Sequence, residues 1–533
     1  MKALLLTCAL IATLTSTAQW STDPAAPMPV CNAANAQQYM RAIADADSGY
    51  YVFWSDLRND PQKADLYGQH FDSEGNALWT ANGELLLTHP TRSFNNLAPL
   101  LMPDGSVIVS FLTRSTNIGG DTVRAMRFDN NANALWAEPT VLLTGLDFRS
   151  IQVVLSNSCA YIVCYCESCQ GAYGCRMQRV RMDGSAQFPL PGQTMVSNYY
   201  GPYTIHPDGA GGLLFNIRAG NGAGTPLKAQ RFDSLGTAVW PAYIDLADAN
   251  GLNYAFATSM DNTLAQTAVW EVNGDLRMNR IDTLGAPVWS PTVQSACDLT
   301  TYVQGGPAAL ATDDALFVAW SDNRPPASNA DLYLQKYDLG TGAELWSADG
   351  VLAIQITSFL PTTGLIASDS GGVVVTYEGN LDGYTAMRVR ADGTLAWADP
   401  VAFCDPAFNP AYEKRVHLPD GNGGVVAFWE SFAGDVYGGR IYRNGKRYND
   451  VGIDEAASAS AVRSYPNPAT DMLLIDVPSG QRIVQTDVIN GLGQVVAVQL
   501  QHGSMHVSGL PNGSYTARIR TTLGVLFARF VKN

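Results

Sequence analysis

The cysteines of this 533-residue chain carry its most concentrated reactive chemistry. Five of the nine fall in segment 159–175, which includes the Cys-x-x-Cys pair of Cys166 and Cys169. Thiols at this spacing can bind zinc, but no second Cys-x-x-Cys or His-x-x-x-His follows to complete four ligands. The leader described below implies an oxidising compartment, which favours disulfides. We therefore predict disulfides of unassigned pairing among Cys164, Cys166, Cys169 and Cys175. Three others are predicted to be buried thiols in separate strands: Cys31, Cys297 and Cys404.

Histidines and carboxylates could supply acid–base catalysis or bind a metal. The six histidines are scattered, and their positions suggest no Ser-His-Asp or Cys-His set. They are His70, His89, His206, His417, His502 and His506. Asp60 and Asp65 could bind calcium, but the sequence around them lacks EF-hand spacing. We predict no catalytic residue, no metal site and no cofactor.

Two similar loops, "WSDLRND" from Trp54 and "WSDNRPP" from Trp320, each place an Asp two residues before an Arg. These carboxylate–guanidinium pairs could form a rim that contacts sugar or protein. Alternatively, each Asp caps a turn beside a nearby Arg, and the pattern recurs because the structural unit recurs. The second interpretation is favoured, since Asp is a common turn-capping residue.

These residues sit within an internal repeat. The segments "FDSEGNALW", "FDNNANALW" and "FDSLGTAVW" end at Trp79, Trp136 and Trp240, and weaker copies extend the series. The full set of marker positions is Trp79, Trp136, Phe188, Trp240, Trp289, Trp346, Trp397 and Asn449. Their spacing of about fifty residues predicts a repeat architecture, with one supersecondary unit per copy.

The sequence pattern of each repeat predicts four short strands. A turn precedes an apolar strand such as "YYVFW", and "DLYGQHFD" alternates towards the Asp72–Gly75 hairpin turn. Trp79 is then expected to open a third strand, and the apolar stretch before the next Asp-Gly turn makes a fourth. This predicts an all-β, eight-bladed β-propeller, or seven blades if one weak copy is irregular. The structural tryptophans between blades are predicted to be Trp79, Trp136, Trp240, Trp289, Trp346 and Trp397.

The marker segments resemble the tryptophan-docking repeats of quinoprotein-like propellers. "YDLGTGAELW" (Tyr337–Trp346) is the closest single match. Sialidase-type Asp boxes place Asp, Gly and Trp closer together, so that alternative fails on spacing. The resemblance covers about ten residues per repeat and implies a fold; it implies no cofactor, because no cofactor-binding residue can be matched.

Residues 1–18 have the features of a secretory signal peptide: a Lys, an apolar core and small residues ending at Ala18. A lipoprotein signal with Cys8 as the lipid site is the disfavoured alternative. The following "QWSTDPAAPMPVC" is similar to "VWSPTVQSAC" from Val288. We expect the Trp20 segment to add a strand to the final blade and close the ring, within a propeller spanning residues 19–453. The alternative is an ordinary leader peptide.

The C-terminal seventy residues form a separate β unit, residues 464–533, after a small, polar linker at 454–463. "YPNPATDMLLI", a Gly-x-Gly turn, "LPNGSYTARI" and the terminal "ARFVKN" resemble the type A C-terminal sorting domain of the type IX secretion system. The residues that carry this motif are Tyr465, Pro466, Asn467, Pro468, Asp471, Gly493, Leu510, Gly513 and Tyr515. The resemblance implies a small Ig-like β-sandwich, export by that machinery, and removal by a sorting peptidase near the linker. A plain Ig-like module is the alternative.

Charge and hydropathy limit the function. The formal charge is −15, which argues against nucleic acid or anionic lipid as the main partner. No second apolar run is long enough to span a bilayer, so no transmembrane segment is predicted. We expect a secreted or outer-surface protein of a Gram-negative bacterium that binds a glycan or an extracellular protein. The alternative is a secreted hydrolase or lyase acting on polysaccharide, with acidic residues in the propeller channel.

Overall fold

The computed structural model describes residues 19–115, 121–145, 147–169, 172–197, 201–218, 226–247, 252–299, 301–325, 331–356, 362–379, 383–448, 463–477, 483–490, 494–496, 498–501, 504–521 and 524–533. The chain divides into two compact units, Met1–Asn449 and Asp450–Asn533. The predicted signal peptide and all of the predicted linker except Arg463 lie outside the described residues. Within the described part, no helix is long and apolar enough to cross a membrane.

The first unit is built from short strands and two 3-10 turns, Asp369–Gly371 and Pro406–Phe408. Its strands are β1 (Met28–Cys31), β2 (Gln37–Ala44), β3 (Tyr50–Asp56), β4 (Asp65–Phe71), β5 (Glu84–Leu87), β6 (Arg92–Leu101), β7 (Val107–Ser115), β8 (Asp121–Phe128), β9 (Thr140–Gly145), β10 (Phe148–Ser156), β11 (Cys159–Cys169), β12 (Ala172–Val180), β13 (Gln193–Ser197), β14 (Tyr203–Pro207), β15 (Leu213–Arg218), β16 (Leu227–Phe232), β17 (Ile244–Asp245), β18 (Leu252–Met260), β19 (Gln266–Val272), β20 (Asp275–Ile281), β21 (Val293–Ser295), β22 (Gln304–Ala311), β23 (Leu316–Asp322), β24 (Asp331–Tyr337), β25 (Val351–Ile354), β26 (Thr362–Ala367), β27 (Val373–Gly379), β28 (Gly383–Val389), β29 (Val401–Ala402), β30 (Pro410–Pro419), β31 (Val425–Ser431) and β32 (Val436–Ile441).

These strands form eight four-stranded antiparallel sheets among the described residues. Sheets 1 to 7 each take four consecutive strands, from β2–β5 to β26–β29, and sheet 8 has the order β1-β32-β31-β30. First strands of successive sheets lie side by side, and β30 of sheet 8 lies beside β2 of sheet 1. Between sheets 4 and 5, the hydroxyls of Thr204 and Thr258 are 2.7 Å apart. This ring of repeated sheets is consistent with propeller blades.

The second and third strands of the sheets contain the most buried segments. Every residue of Tyr50–Asp56 and Asp65–Phe71 is buried, and the same holds for Leu316–Asp322 and Asp331–Tyr337. A neighbouring sheet covers each face, so second strands such as Leu316–Asp322 are nearly continuous apolar runs, whereas the third strands also carry buried polar residues such as Gln69 and Gln335. The apolar core runs across sheet boundaries, from Tyr51 of sheet 1 to Val180 of sheet 3.

Five of the six marker tryptophans donate their indole N–H to a carbonyl in the turn of the next sheet, while Trp240 packs on Gly285 and its Nε1 has no hydrogen-bond partner among the described residues. The Trp136 indole N–H donates to the carbonyl of Met182 at 2.9 Å, and its ring packs on Gly184. Gly184 has φ +86°, and a Cβ there would lie 2.9 Å from the indole, so the turn requires glycine. The same indole-to-carbonyl bond joins Trp79 to Asn130, Trp289 to Leu339, Trp346 to Ala391 and Trp397 to Arg443.

The position of the marker in its repeat differs from the prediction. Trp79 does not open a strand; it lies in the turn region, and the outer strand begins at Glu84. The turn itself is built as expected, with Asp72 Oδ1 accepting the backbone N–H groups of Glu74 and Asn76. The first strands of the sheets lie side by side, and we call them the inner ring. The apolar stretch before the next Asp-Gly turn is the first strand of the following sheet, because the chain crosses to the inner ring after Leu87.

The N-terminal segment completes sheet 8. Strand Met28–Cys31 pairs antiparallel with Val436–Ile441, in the place that the fourth strand takes in the other sheets. Trp20 is 5% exposed, and its indole N–H donates to the carbonyl of Ser73 in sheet 1 at 2.9 Å. Trp20 therefore makes the same type of inter-sheet contact as the internal markers, whereas Asn449 lies outside the described residues.

The second unit contains two four-stranded sheets. Their strands are β33 (Arg463–Tyr465), β34 (Met472–Asp476), β35 (Ile483–Asn490), β36 (Val495–Val496), β37 (Gln499–Gln501), β38 (Ser504–His506), β39 (Gly513–Thr521) and β40 (Gly524–Lys532). The sheet orders are β33-β34-β38-β37 and β36-β35-β39-β40. Leu473 and Met505 of one sheet share a buried core with Ala517 and Phe530 of the other.

Candidate functional site

Many charged residues of the first unit form ion pairs that hold its sheets together. A basic residue precedes the last residue of the third strand in all eight sheets: His70, Arg127, Arg179, Arg231, Arg280, Lys336, Arg388 and Arg440. Several pair with an Asp in the turn after the first strand, as Arg231 does with Asp208 at 3.0 Å and Arg440 with Asp420 at 3.0 Å. Arg127 pairs with Asp104 and also donates to the carbonyl of Met182 in the next sheet.

This recurring ion pair is structural, because it joins a turn to its own third strand and to the neighbouring sheet. Our sequence reasoning treated the Asp only as a turn residue. The signal was nevertheless present in the sequence as a basic residue at a constant position before the marker segment.

The two "WSD" loops have the same internal geometry. Asp56 is fully buried; its carboxylate accepts the Trp54 indole N–H at 2.7 Å and is 2.6 Å from the Arg58 guanidinium. Arg58 lies over the Tyr67 ring, 4.0 Å from the centroid. Asp322, Trp320, Arg324 and Tyr333 repeat this arrangement in sheet 6. The polar groups contact one another, which supports the turn-capping interpretation over a rim for ligands.

A thiol completes each of these clusters. Arg58 lies 3.0 Å from the Cys31 sulfur, and Arg324 lies 3.4 Å from that of Cys297. Burial raises the pKa of Cys31 to about 11 and that of Cys297 to about 12. Both thiols therefore stay protonated at neutral pH and are poor nucleophiles. Cys404 is likewise a buried free thiol.

Two of the four cysteines predicted to form disulfides, Cys164 and Cys175, are free thiols. Both are buried, and they lie within the paired strands β11 and β12 rather than in the loop between them. Burial raises the pKa of both. Cys166 is disulfide-bonded, and the side chain of Cys169 lies outside the described part. No group of three or more His, Cys, Asp or Glu side chains among the described residues could hold a metal ion.

A cluster of charged side chains lies on the first and second strands of sheets 7, 8 and 1, at the inner ring. We call it the inner-ring cluster; its members are Arg41, Glu378, Lys414, Arg415 and Glu430. Arg415, on the first strand of sheet 8, bonds to Glu378 of sheet 7. Lys414 bonds to Glu430 within sheet 8. Burial raises the pKa of Glu430, opposed by Lys414, and lowers the pKa of Arg415 to about 10. Each carboxylate thus has a cation as its partner.

Three histidines of the first unit contact a hydroxyl or carboxylate side chain. His206 Nε2 is 2.8 Å from the Thr258 hydroxyl, and His417 Nδ1 is 3.3 Å from the Thr376 hydroxyl. Burial lowers the pKa of both His206 and His417 to about 4, so they are neutral at neutral pH. His70 pairs with Asp45 at 2.8 Å.

In the second unit, the predicted motif residues tie the first strand to the last. The Asn467 side chain donates to the carbonyl of Arg529 at 3.1 Å and accepts the N–H of Val531 at 2.8 Å. The backbone of Asp471 accepts the N–H of Val507 at 2.9 Å. Leu510 is buried.

Tyr515 stacks on Phe530 with ring centroids 5.6 Å apart, and its hydroxyl donates to the carbonyl of Pro511 at 2.8 Å. Tyr465 is about half exposed, and Gly513 begins β39. Pro466 and Pro468 each follow a cis peptide bond, and Gly493 lies outside the described residues. A groove of about 330 Å³ borders these residues and is lined by Asn467, Asn490, Tyr515, Thr516, Arg529 and Val531.

Comparison with known proteins identifies this second unit. Residues 463–533 match the family model described as the secretion system C-terminal sorting domain. This sorting domain, which belongs to the type IX secretion system, marks proteins that are secreted or attached at the outer surface. The chain is therefore a protein handled by the type IX secretion machinery. No curated protein sequence matches the chain.

Solved structures with some similarity to the chain include enzymes and a protein of unknown function. A structure from a study of two prolyl endopeptidases is 10% identical, with a TM-score of 0.41, over 74% of this chain and 55% of that one. Oligopeptidase B from Leishmania major is 10% identical, with a TM-score of 0.42, over 74% and 54%. A protein of unknown function from Dyadobacter fermentans is 11% identical, with a TM-score of 0.32, over 57% and 95%. The chain thus spans about half the length of the two peptidases, and no activity follows for it from these similarities.

Proposed function

We propose that the mature protein is an extracellular binding protein: an eight-bladed β-propeller followed by an Ig-like sorting domain. Removal of residues 1–18 as a signal peptide would leave Trp20 and strand Met28–Cys31 to close the ring. The propeller would span residues 19–453, and cleavage by a sorting peptidase in the 454–463 linker would release or anchor it. The match of residues 463–533 to the sorting domain supports the export step.

The inner-ring cluster is the observation that favours binding over catalysis. A glycosidase needs two carboxyl groups free to act on opposite sides of one glycosidic bond. Here Glu378 and Glu430 are each bonded to a cation, Arg415 and Lys414 respectively. Ion pairing favours the ionised form of each carboxylate, and at Glu430 the Lys414 ammonium opposes the rise in pKa that burial causes. The ligand we propose is a glycan or an extracellular protein.

A screen of the purified full-length protein against immobilised glycans and extracellular-matrix proteins tests this proposal. The same polysaccharides are incubated with the protein in solution, and the release of reducing ends is measured. We expect saturable binding without product. Catalytic release of reducing ends or unsaturated products would overturn the binding function.

A polysaccharide hydrolase or lyase is the second candidate, and Glu430 is the residue that favours it. Its side chain is 3% exposed, burial raises its pKa, and its Oε2 has no hydrogen-bond partner among the described residues. A buried carboxyl with a raised pKa can act as a general acid. If product release is seen, Glu430→Gln should abolish it, while Glu138→Gln at an exposed position should not.

A further inference from the structure

Four basic residues lie on neighbouring segments where sheet 1 joins sheet 2. We call them the cationic cluster; they are Lys63, His89, Arg92 and Arg124. Hydrogen bonds hold the loop that carries Lys63 against the start of β6. The N–H of Ala64 donates to the Ser93 hydroxyl at 3.1 Å, and the N–H of Phe94 donates to the Ala64 carbonyl at 3.2 Å. His89 lies in the same crossover, where its Nδ1 accepts the N–H of Thr91 at 3.2 Å.

The charges in this cluster act on one another. The pKa of His89 is lowered by burial and then by the positive charges of Arg92, Arg124 and Lys63. The pKa of Arg124 is lowered by burial and by Arg92. Like charges at close range repel, and partial burial weakens the screening of that repulsion by water. The Lys63 ammonium is paired with the Asp65 carboxylate at 3.7 Å, so the remaining repulsion acts mainly between His89, Arg92 and Arg124.

Neither guanidinium has an acidic partner. Among the described residues, no carboxylate lies within ion-pair distance of Arg92 or Arg124, and the Nη1 of Arg92 is buried without a hydrogen-bond partner. The nearest polar contact of Arg124 is from its Nε to the Thr122 hydroxyl at 3.4 Å. Many other arginines of the unit are paired with carboxylates, among them Arg58, Arg127, Arg231, Arg280, Arg324, Arg388, Arg415 and Arg440.

We propose that the cationic cluster binds a single oxyanion group, a sulfate or a carboxylate, carried by the extracellular ligand. The inference rests on the proposed binding function and specifies its ligand chemistry. The planar donors of Arg92 and Arg124 suit a tetrahedral or planar oxyanion, and the anion would relieve their repulsion and satisfy the buried Nη1. The net charge of −15 opposes long polyanions, which favours recognition of one local group.

Binding by the purified full-length protein is compared for a sulfated glycan, a carboxylated glycan and a neutral dextran, each at low salt. We expect the protein to bind one or both acidic glycans and not the dextran. Arg92→Gln and Arg124→Gln together should weaken that binding about tenfold or more. The control Arg181→Gln removes one charge at an exposed turn of sheet 3 and should leave binding unchanged.

A second readout separates a binding role from a purely structural one. In low salt without an anionic ligand, Arg124→Gln should raise the melting temperature, because it removes repulsion. Arg231→Gln, which breaks the pair with Asp208, should lower it. Addition of sodium sulfate or sodium acetate should raise the melting temperature of the wild type more than that of the double variant.

The outcomes distinguish the two proposals. Unchanged acidic-glycan binding in the double variant, or no binding of either acidic glycan, overturns the cationic-cluster site. If the protein binds only neutral ligands, the binding function stands and the site is wrong. If polysaccharides are cleaved, the binding function is wrong whatever the cluster does.

Discussion

Replacing Trp20 by Ala tests whether the N-terminal segment closes the ring. The indole is 5% exposed, packs against Tyr50 and Phe428 with ring centroids 5.9 Å and 5.8 Å away, and donates to the Ser73 carbonyl. A buried Trp removes about 150–250 Å² from water, and truncating one costs about 3–5 kcal/mol. We expect a loss on that scale for Trp20→Ala.

Urea unfolding followed by circular dichroism measures this loss, with Trp397→Ala as the matched control. Trp397 is 6% exposed and makes the same indole-to-carbonyl bond, to Arg443, in the interior of the chain. The two variants should be destabilised to a similar extent. If Trp397→Ala is destabilised and Trp20→Ala unfolds like the wild type, the N-terminal strand does not complete sheet 8.

Three further predictions concern turns, protonation and the second unit. Gly184→Ala should cost several kcal/mol in urea unfolding because its Cβ would meet the Trp136 ring, whereas Gly105→Ala, at φ +81° with open space around it, should cost only about 1–2 kcal/mol of backbone strain. His417 has a pKa lowered by burial to about 4, below its unfolded value near 6.5, so the unfolded chain binds the extra proton between these values. His417 should therefore contribute a loss of stability of up to about 3 kcal/mol as the pH falls from 6.5 to 4. Because His206 has the same lowered pKa, His417→Gln should reduce the slope rather than abolish it; an unchanged slope would contradict the assignment. Asn467→Ala removes bonds to Arg529 and Val531 and should speed amide exchange along β40, while the exposed control Asn512→Ala should not.

Much of the first unit could be predicted from the sequence, because one residue pattern is written several times. The spacing of the marker residues indicated repeated strands, and "YYVFW" predicted an apolar strand, which the structure has at Tyr50–Asp56. The similarity of the Trp20 segment to a marker segment indicated a closing strand, which pairs with Val436–Ile441. Patterns of this kind are local, so a single sequence reveals them.

The charged clusters could not be predicted, because they depend on contacts between distant segments. Arg415 of sheet 8 bonds to Glu378 of sheet 7, and the loop that carries Lys63 lies beside the start of β6 because the Ala64 N–H donates to the Ser93 hydroxyl. Disulfides were predicted among Cys164, Cys166, Cys169 and Cys175, whereas Cys164 and Cys175 are free thiols inside the paired strands β11 and β12. Sequence spacing does not show where the strands of a hairpin end, so it did not predict that these two cysteines are buried as free thiols.

The central claim is that residues 463–533 direct a binding propeller out of the cell, and localisation measures it most directly. The full chain and a chain lacking residues 463–533 are expressed in a bacterium that has a type IX secretion system, and both are quantified in periplasm, on the surface and in the medium. The full chain should appear at the surface or in the medium, and the truncated chain should accumulate in the periplasm. Equal amounts of both chains outside the cell would contradict the account.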